Sequence, residues 1–225
     1  MTFSIVARCA QSGQLGVAIS SSSPAVAARC ARARADVGAV SSQNVTNPEL
    51  GKIMLDRMAA GEGAADAVAA ARDGDDHPDY RQLLAIDARG ATSVHSGPKA
   101  LGIWASAEGR DCAAGGNMLA GDGIPAKMVA AFEAADGPFG DRLIAAMKAG
   151  LKAGGEAGPV HSAGLLIVDR QSWPYADLRV DWLDEGCPIT ALSDLWARYR
   201  PQADDYVTRA LNPGAAPSYG VPGDD

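Results

Sequence analysis

The spacing of apolar and polar positions divides the chain into a series of short elements. Residues 3–21, FSIVARCAQSGQLGVAISS, hold two β-rich apolar runs joined by Gln11, Ser12, Gly13 and Gln14, which predicts a hairpin with Gly13 free to take positive φ. Residues 36–43, DVGAVSSQ, predict a third strand. Residues 47–61 then read as a helix with Asn47 as N-cap, Pro48 at its first position and Gly61 at its end, and the Ala-rich residues 63–75 as a second helix. Residues 81–97 flank an Asp-Ala-Arg-Gly turn and predict another hairpin, with one more strand through residues 102–107, GIWASA. In the second half, residues 120–135 and 139–155 carry apolar positions at helical spacing. Residues 161–170 and 175–182 read as strands, and residues 187–200 as a last amphipathic helix.

Strands therefore come in groups separated by helix pairs. Two antiparallel sheets packed face to face with helices outside satisfy that order, so the predicted fold is α+β, a four-layer αββα sandwich. One domain over residues 1–211 is expected. Residues 212–225, rich in Pro and Gly and without periodicity, read as a tail outside the core.

Composition narrows the function classes. At 225 residues and 47% apolar content, the chain can bury the core of one ordinary domain. A formal charge of -7 opposes a nucleic-acid partner, since phosphate binding needs a concentrated basic face. No apolar stretch is long enough to cross a bilayer, and the first residues lack the order of a signal peptide, so no membrane association is expected and the cytoplasm is the expected location. Cys9, Cys30, Cys112 and Cys187 stand far apart and read as buried free thiols. His77, His95 and His161 show no ligand spacing, so no metal site and no cofactor are called for.

The chemistry begins at the amino terminus. A β-rich run starts at the third residue, so Thr2 heads a core strand instead of lying in a frayed end. Thr2 is small enough for the preceding Met to be removed. That would leave a hydroxyl beside a free α-amine, which has a reference pKa of about 7.7 to 8.0 and can act as a general base near neutral pH. Asn117, behind Gly115 and Gly116, is read as an oxyanion donor in a cleft whose glycines allow close approach and unusual φ, the alternative being a helix N-cap. Asp177, Arg179 and Asp181 alternate along one strand face and read as a structural ion-pair network.

The strings MTFSIVAR, QLGVAIS, ARADVGAVSSQNVTNP, RQLLAIDARG, GGNMLAG, HSAGLLIV and DLRVDW, in that order, resemble a bacterial domain-of-unknown-function family, number 1028, assigned to the N-terminal-nucleophile (Ntn) hydrolase superfamily. The resemblance runs from Thr2 to about the last predicted helix. It implies a proteasome-β-like αββα fold with Thr2 as nucleophile and supplies no substrate; the function expected on that basis is an amidohydrolase acting on a small amide or amino-acid derivative. It places Ser21 and Arg34 where such enzymes face the nucleophile, one orienting the amine and the other lowering its pKa. For Arg34 the other reading is a solvated arginine. Gln43 could reach the oxyanion or could stabilise a turn. The chain departs from the family pattern at Gly115, commonly Gln, at Cys9, usually Asp, and at Val160 and His161, usually Arg and Gln. His161 thereby becomes a candidate substrate contact or a local hydrogen-bonding residue. A non-catalytic binding protein of the same fold is the alternative function, and a homodimer or larger homo-oligomer is the expected assembly.

Overall fold

A computed structural model describes residues 1–222. Its ten strands are β1 (Thr2–Arg8), β2 (Leu15–Ser21), β3 (Ala31–Arg34), β4 (Gly38–Asn44), β5 (Arg81–Asp87), β6 (Thr92–Ser96), β7 (Ala105–Gly109), β8 (Cys112–Asn117), β9 (Ser162–Val168) and β10 (Ala176–Val180). They form a six-stranded sheet in the order β10-β9-β2-β1-β8-β7 and a four-stranded sheet in the order β3-β4-β5-β6, with every pairing antiparallel. The helices are α1 (Val26–Cys30), α2 (Pro48–Ala59), α3 (Ala64–Asp73), α4 (Ile124–Ala134), α5 (Phe139–Lys152), α6 (Pro188–Tyr199) and α7 (Ala203–Leu211).

Three apolar clusters make the sandwich. Strand alternation sends Phe3, Ile5 and Ala7 to one face of β1, where they meet Phe132, Leu143, Met147 and Trp196 of α4, α5 and α6. Val6 faces the other way and joins Val17, Ile19, Leu84 and Ile86 between the two sheets. Val40, Leu83 and Ala85 carry α2 and α3 on the far side. Two helical layers thus enclose two sheets, the four-layer αββα order predicted from the chain. The capping prediction for α2 also holds, since the Asn47 side chain accepts from Glu49 N at 3.1 Å.

Several elements differ from expectation. β8, CAAGGN, lies within the larger sheet although it has no β-branched residue. The predicted strand through residues 102–107 begins only at Ala105, because Leu101 and Ile103 instead accept from the amides of Met118 and Leu119. α1 and β3 occupy a stretch with no predicted element. α1 closes the inter-sheet space against β9, where a Cβ on Gly164 would stand 2.3 Å from Ala27 Cβ. α7 lies beyond the last predicted helix, and Arg209 near its end donates to Pro217 O, which ties the following segment back. All four cysteines are free, but Cys9 and Cys187 are half-buried instead of buried. Among the described residues, no helix is long and apolar enough to cross a membrane.

Candidate functional site

The space between the sheets changes character along its length. Val6, Val17, Leu84 and Ile86 fill one end with apolar side chains. At the other end the same inward-facing positions of β1, β2, β4, β5 and β8 hold Thr2, Ser4, Ser21, Ser41, Gln43, Gln82 and Asn117, all of them buried. Strand register assembles this group: Thr2 is flanked by Ser21 of β2 on one side and Asn117 of β8 on the other. Three residues that are far apart in the chain therefore meet because β1 is an inner strand of its sheet.

Thr2 is 5% exposed, and its hydroxyl is held from two directions. Thr2 Oγ1 donates to the Met1 carbonyl at 2.5 Å and lies 3.3 Å from Ser21 Oγ. Ser21 Oγ also donates to the Met1 carbonyl, and it accepts from Ser23 N at 3.1 Å. Arg29 of α1 donates to Ser23 Oγ at 2.8 Å, and Ser23 Oγ lies 2.9 Å from Ser21 Oγ, so a cation is connected to the Thr2 hydroxyl through two serines.

Across from Thr2, three amides form one network between the sheets. Asn117 Nδ2 donates to Gln82 Oε1 at 3.1 Å, which leaves its second hydrogen for another acceptor. Gln82 Nε2 donates to Ser96 Oγ and to Gly116 O, and Gln43 Nε2 donates to Gln82 Oε1 at 2.8 Å and to Gly115 O at 3.3 Å. Gln43 Oε1 accepts from Ser4 and Ser41 hydroxyls. At the edge of this network Asn44 and Met118, each directly after a network amide, take φ of 72° and 49°. For Met118 that conformation is sterically unfavourable, and such outliers collect at ligand-binding positions.

Glu156 reaches from the segment beside Met118 and Leu119 to the end of β2. It is 5% exposed; Oε2 accepts from Ser22 N at 3.1 Å, and Oε1 is buried with no partner. An isolated bridge with Leu119 fixes its backbone, flanked by bonds from Ala120 N to Gly155 O and from Ala157 N to Met118 O. Burial pushes its carboxyl up to about 7, opposed by the positive amino terminus and the bonds from Ser22.

Thr2, Ser21 and Asn117 are thus brought together, and the other sequence candidates are placed differently. Arg34 pairs with Gly38, at the end of β4 away from Gln43, about five residues or roughly 17 Å along the strand. Its guanidinium, 44% exposed, binds Asp56 at 2.7 Å on the surface, which is the solvated-arginine reading. Gln43 has both N–H groups and its carbonyl occupied by protein atoms, so it braces the site and has no donor left for an oxyanion. Gly115 and Gly116 are buried and have no positive φ. They lie inside β8, where a Cβ would meet Leu84 at 3.3 Å and Leu119 at 2.6 Å respectively, so they serve sheet packing. Asn117 does not cap a helix, because the N-cap of α4 is Gly123. His161 adjoins the site through its amide, which donates to Ser21 O, but its ring bonds Leu183 O at 2.7 Å and stacks on Trp182 at 4.4 Å. Arg179 pairs with Asp181 at 2.8 Å. Among the described residues no cluster of three or more His, Cys, Asp or Glu could hold a metal ion.

Glu156 and Arg29 had no sequence signal of their own. Glu156 sits in a Gly-rich loop after α5, and only the pairing across to Leu119 brings it to the amino terminus. Gln82 could have been suspected as a polar residue at an inward position of a strand that is otherwise apolar on that face.

A family model described as a family of unknown function, DUF1028, matches residues 2–192. A crystal structure of a Silicibacter pomeroyi protein assigned to that family is 30% identical, covers 88% of each chain and superposes with a TM-score of 0.82. The ancestral β-subunit Anbu from Yersinia bercovieri is 10% identical over 89% of this chain and 95% of its own, with a TM-score of 0.40. No curated protein matches.

Proposed function

The chain belongs to the DUF1028 family, whose description assigns no activity, and from that premise we propose that it is an Ntn-type amidohydrolase acting on a small amide after removal of Met1. The observation that carries this reading is the Thr2 hydroxyl, buried at the head of an inner strand between Ser21 and Asn117 and facing the polar end of the inter-sheet space.

Removal of Met1 turns the Thr2 nitrogen into an α-amine one carbon from the hydroxyl-bearing Cβ. The amine takes the Oγ1 proton as the oxygen attacks the substrate carbonyl carbon. The negative charge that develops on the carbonyl oxygen is met by the free hydrogen of Asn117 Nδ2, held in place by Gln82. Collapse breaks the C–N bond, the ammonium returns its proton to the leaving amine, and an acyl ester remains on Oγ1. Water then adds by the same route, the amine taking its proton, and releases the acid. Ser21 orients the hydroxyl, and Arg29 places positive charge behind it through Ser23.

A second reading, a binding protein without catalysis, is favoured by one feature: with Met1 in place, its carbonyl engages both hydroxyls and the Thr2 nitrogen is an amide. Intact mass of the purified protein separates the two readings, because catalysis requires the loss of one Met. An amide-library screen with three variants then tests the chemistry. Thr2→Ala should reduce hydrolysis to background with folding intact, and Thr2→Ser should retain part of the rate. A residue inserted between Met1 and Thr2 should be as inactive as Thr2→Ala, since it keeps the hydroxyl but moves the amine. Full activity of the inserted form would exclude the terminal amine as base.

A further inference from the structure

Met1 occupies a defined notch. Its carbonyl faces the Thr2 and Ser21 hydroxyls, and its side chain reaches Gly158, where a Cβ would stand 3.1 Å from Met1 Cε. Its α-amine acts electrostatically on Glu156, whose neighbour across the notch is the Ser22 amide. An acyl group on the Thr2 nitrogen and one on Oγ1 are joined to the same two-carbon unit and interconvert through a five-membered ring. The Met1 residue therefore traces the space that an acyl group on Oγ1 would use.

One wall of that space is chemically unfinished. Glu156 Oε1 is buried without a hydrogen-bond donor, a costly arrangement for a carboxylate unless a ligand completes it. Its backbone is pinned on both sides to the segment that follows Asn117, so the carboxylate cannot easily swing out to solvent. A cation arriving on the acyl side would find an acceptor already oriented.

We infer, resting on the Ntn reading, that the notch filled by Met1 is the acyl pocket and that Glu156 recognises a free α-ammonium there, so that the substrates are α-amino acyl amides, either amino-acid amides or short peptides with a free amino terminus. Gly158 leaves room for the side chain of the acyl residue. The leaving amine is not selected by Glu156.

Binding can be read apart from catalysis in protein that begins at residue 2 and carries Thr2→Ala. Calorimetry compares L-methioninamide with its analogue lacking the α-amino group, with and without Glu156→Gln, which keeps the side-chain shape and an acceptor for Ser22 N. Methioninamide should bind about 10–100-fold more tightly than the analogue, the range of a hydrogen bond to a charged group, and Glu156→Gln should abolish that preference. Gly158→Leu, against the Met1 side chain, should weaken methioninamide while sparing glycinamide. Equal binding of both amides, binding of neither, or selectivity that survives Glu156→Gln overturns the proposal. Hydrolysis is measured in parallel with protein beginning at Thr2. Turnover of any amide that depends on Thr2 upholds the Ntn reading in those cases, whereas ammonium selectivity without Thr2-dependent turnover supports the pocket and removes the nucleophile assignment.

Discussion

Replacing Glu156 with Gln should stabilise the protein, and by an amount that grows with pH. The carboxyl has an ordinary value of 4.5 and is raised to about 7 in the folded chain, mainly because it is buried. The folded state therefore holds this proton more tightly than the unfolded state does. The stability linked to it is complete below about 4.5, declines as pH rises, and is gone above about 7. Ionising Glu156 in place costs on the order of 3 kcal/mol, most of which falls between pH 5 and pH 8. Glu156→Gln removes the titration but keeps the volume and the acceptor for Ser22 N. Urea unfolding of both proteins, with the same amino terminus, should give similar stabilities at pH 5. At pH 8 the variant should be ahead by about 2–3 kcal/mol, on the order of 1 M in urea midpoint. Comparing the two at each pH cancels the carboxylates shifted the other way, such as Asp75 beside Arg81 and Asp87 with its backbone amides. A stability difference that stays constant from pH 5 to pH 8 would refute the buried, unpaired carboxylate.

Three further outcomes follow from the site. Asn117→Ala should lower turnover about 10²–10³-fold in a well-folded protein, as loss of an oxyanion donor does, and unchanged turnover would make Asn117 a brace only. Gln82→Leu should destabilise the protein by about 1–3 kcal/mol for each buried partner left unpaired, measured by urea unfolding, since Asn117, Gln43, Ser96 and Gly116 all lean on that side chain. Arg34→Ala should change neither the melting temperature beyond error nor turnover, because its exposed partner is Asp56; a drop in turnover would return Arg34 to the site.

Much of the layering was legible because it rests on local pattern. β1, β2, β5 and β9 each carry an apolar run, and α2 announces itself by Asn47 and Pro48. β8 was not legible, since Ala and Gly carry no strand preference and its buried state is imposed by neighbours on either side. The same divide runs through the site. Thr2 and Asn117 could be picked out by residue type and setting, and Ser21 through the resemblance. The two readings of Arg34 could not be separated, because a position ahead of a strand says nothing about which end of the sheet it will reach. Glu156 was invisible because its chemistry comes entirely from a bridge to a segment 37 residues earlier.

The partnering of β1 also sets a schedule. One neighbour, β2, follows within a few residues, but the other, β8, ends at Asn117, and the Glu156 wall comes later still. At roughly 5–20 residues per second, a ribosome needs on the order of ten seconds to supply β8 after β1 has been made. Throughout that interval the leading strand has one exposed edge, and its first peptide bond is open to a processing enzyme. Once β8 docks, Thr2 is buried and the bond before it is tucked against Ser21. If Met1 is removed as proposed, its removal competes with translation, and slowing synthesis between β2 and β8 should enlarge the trimmed fraction.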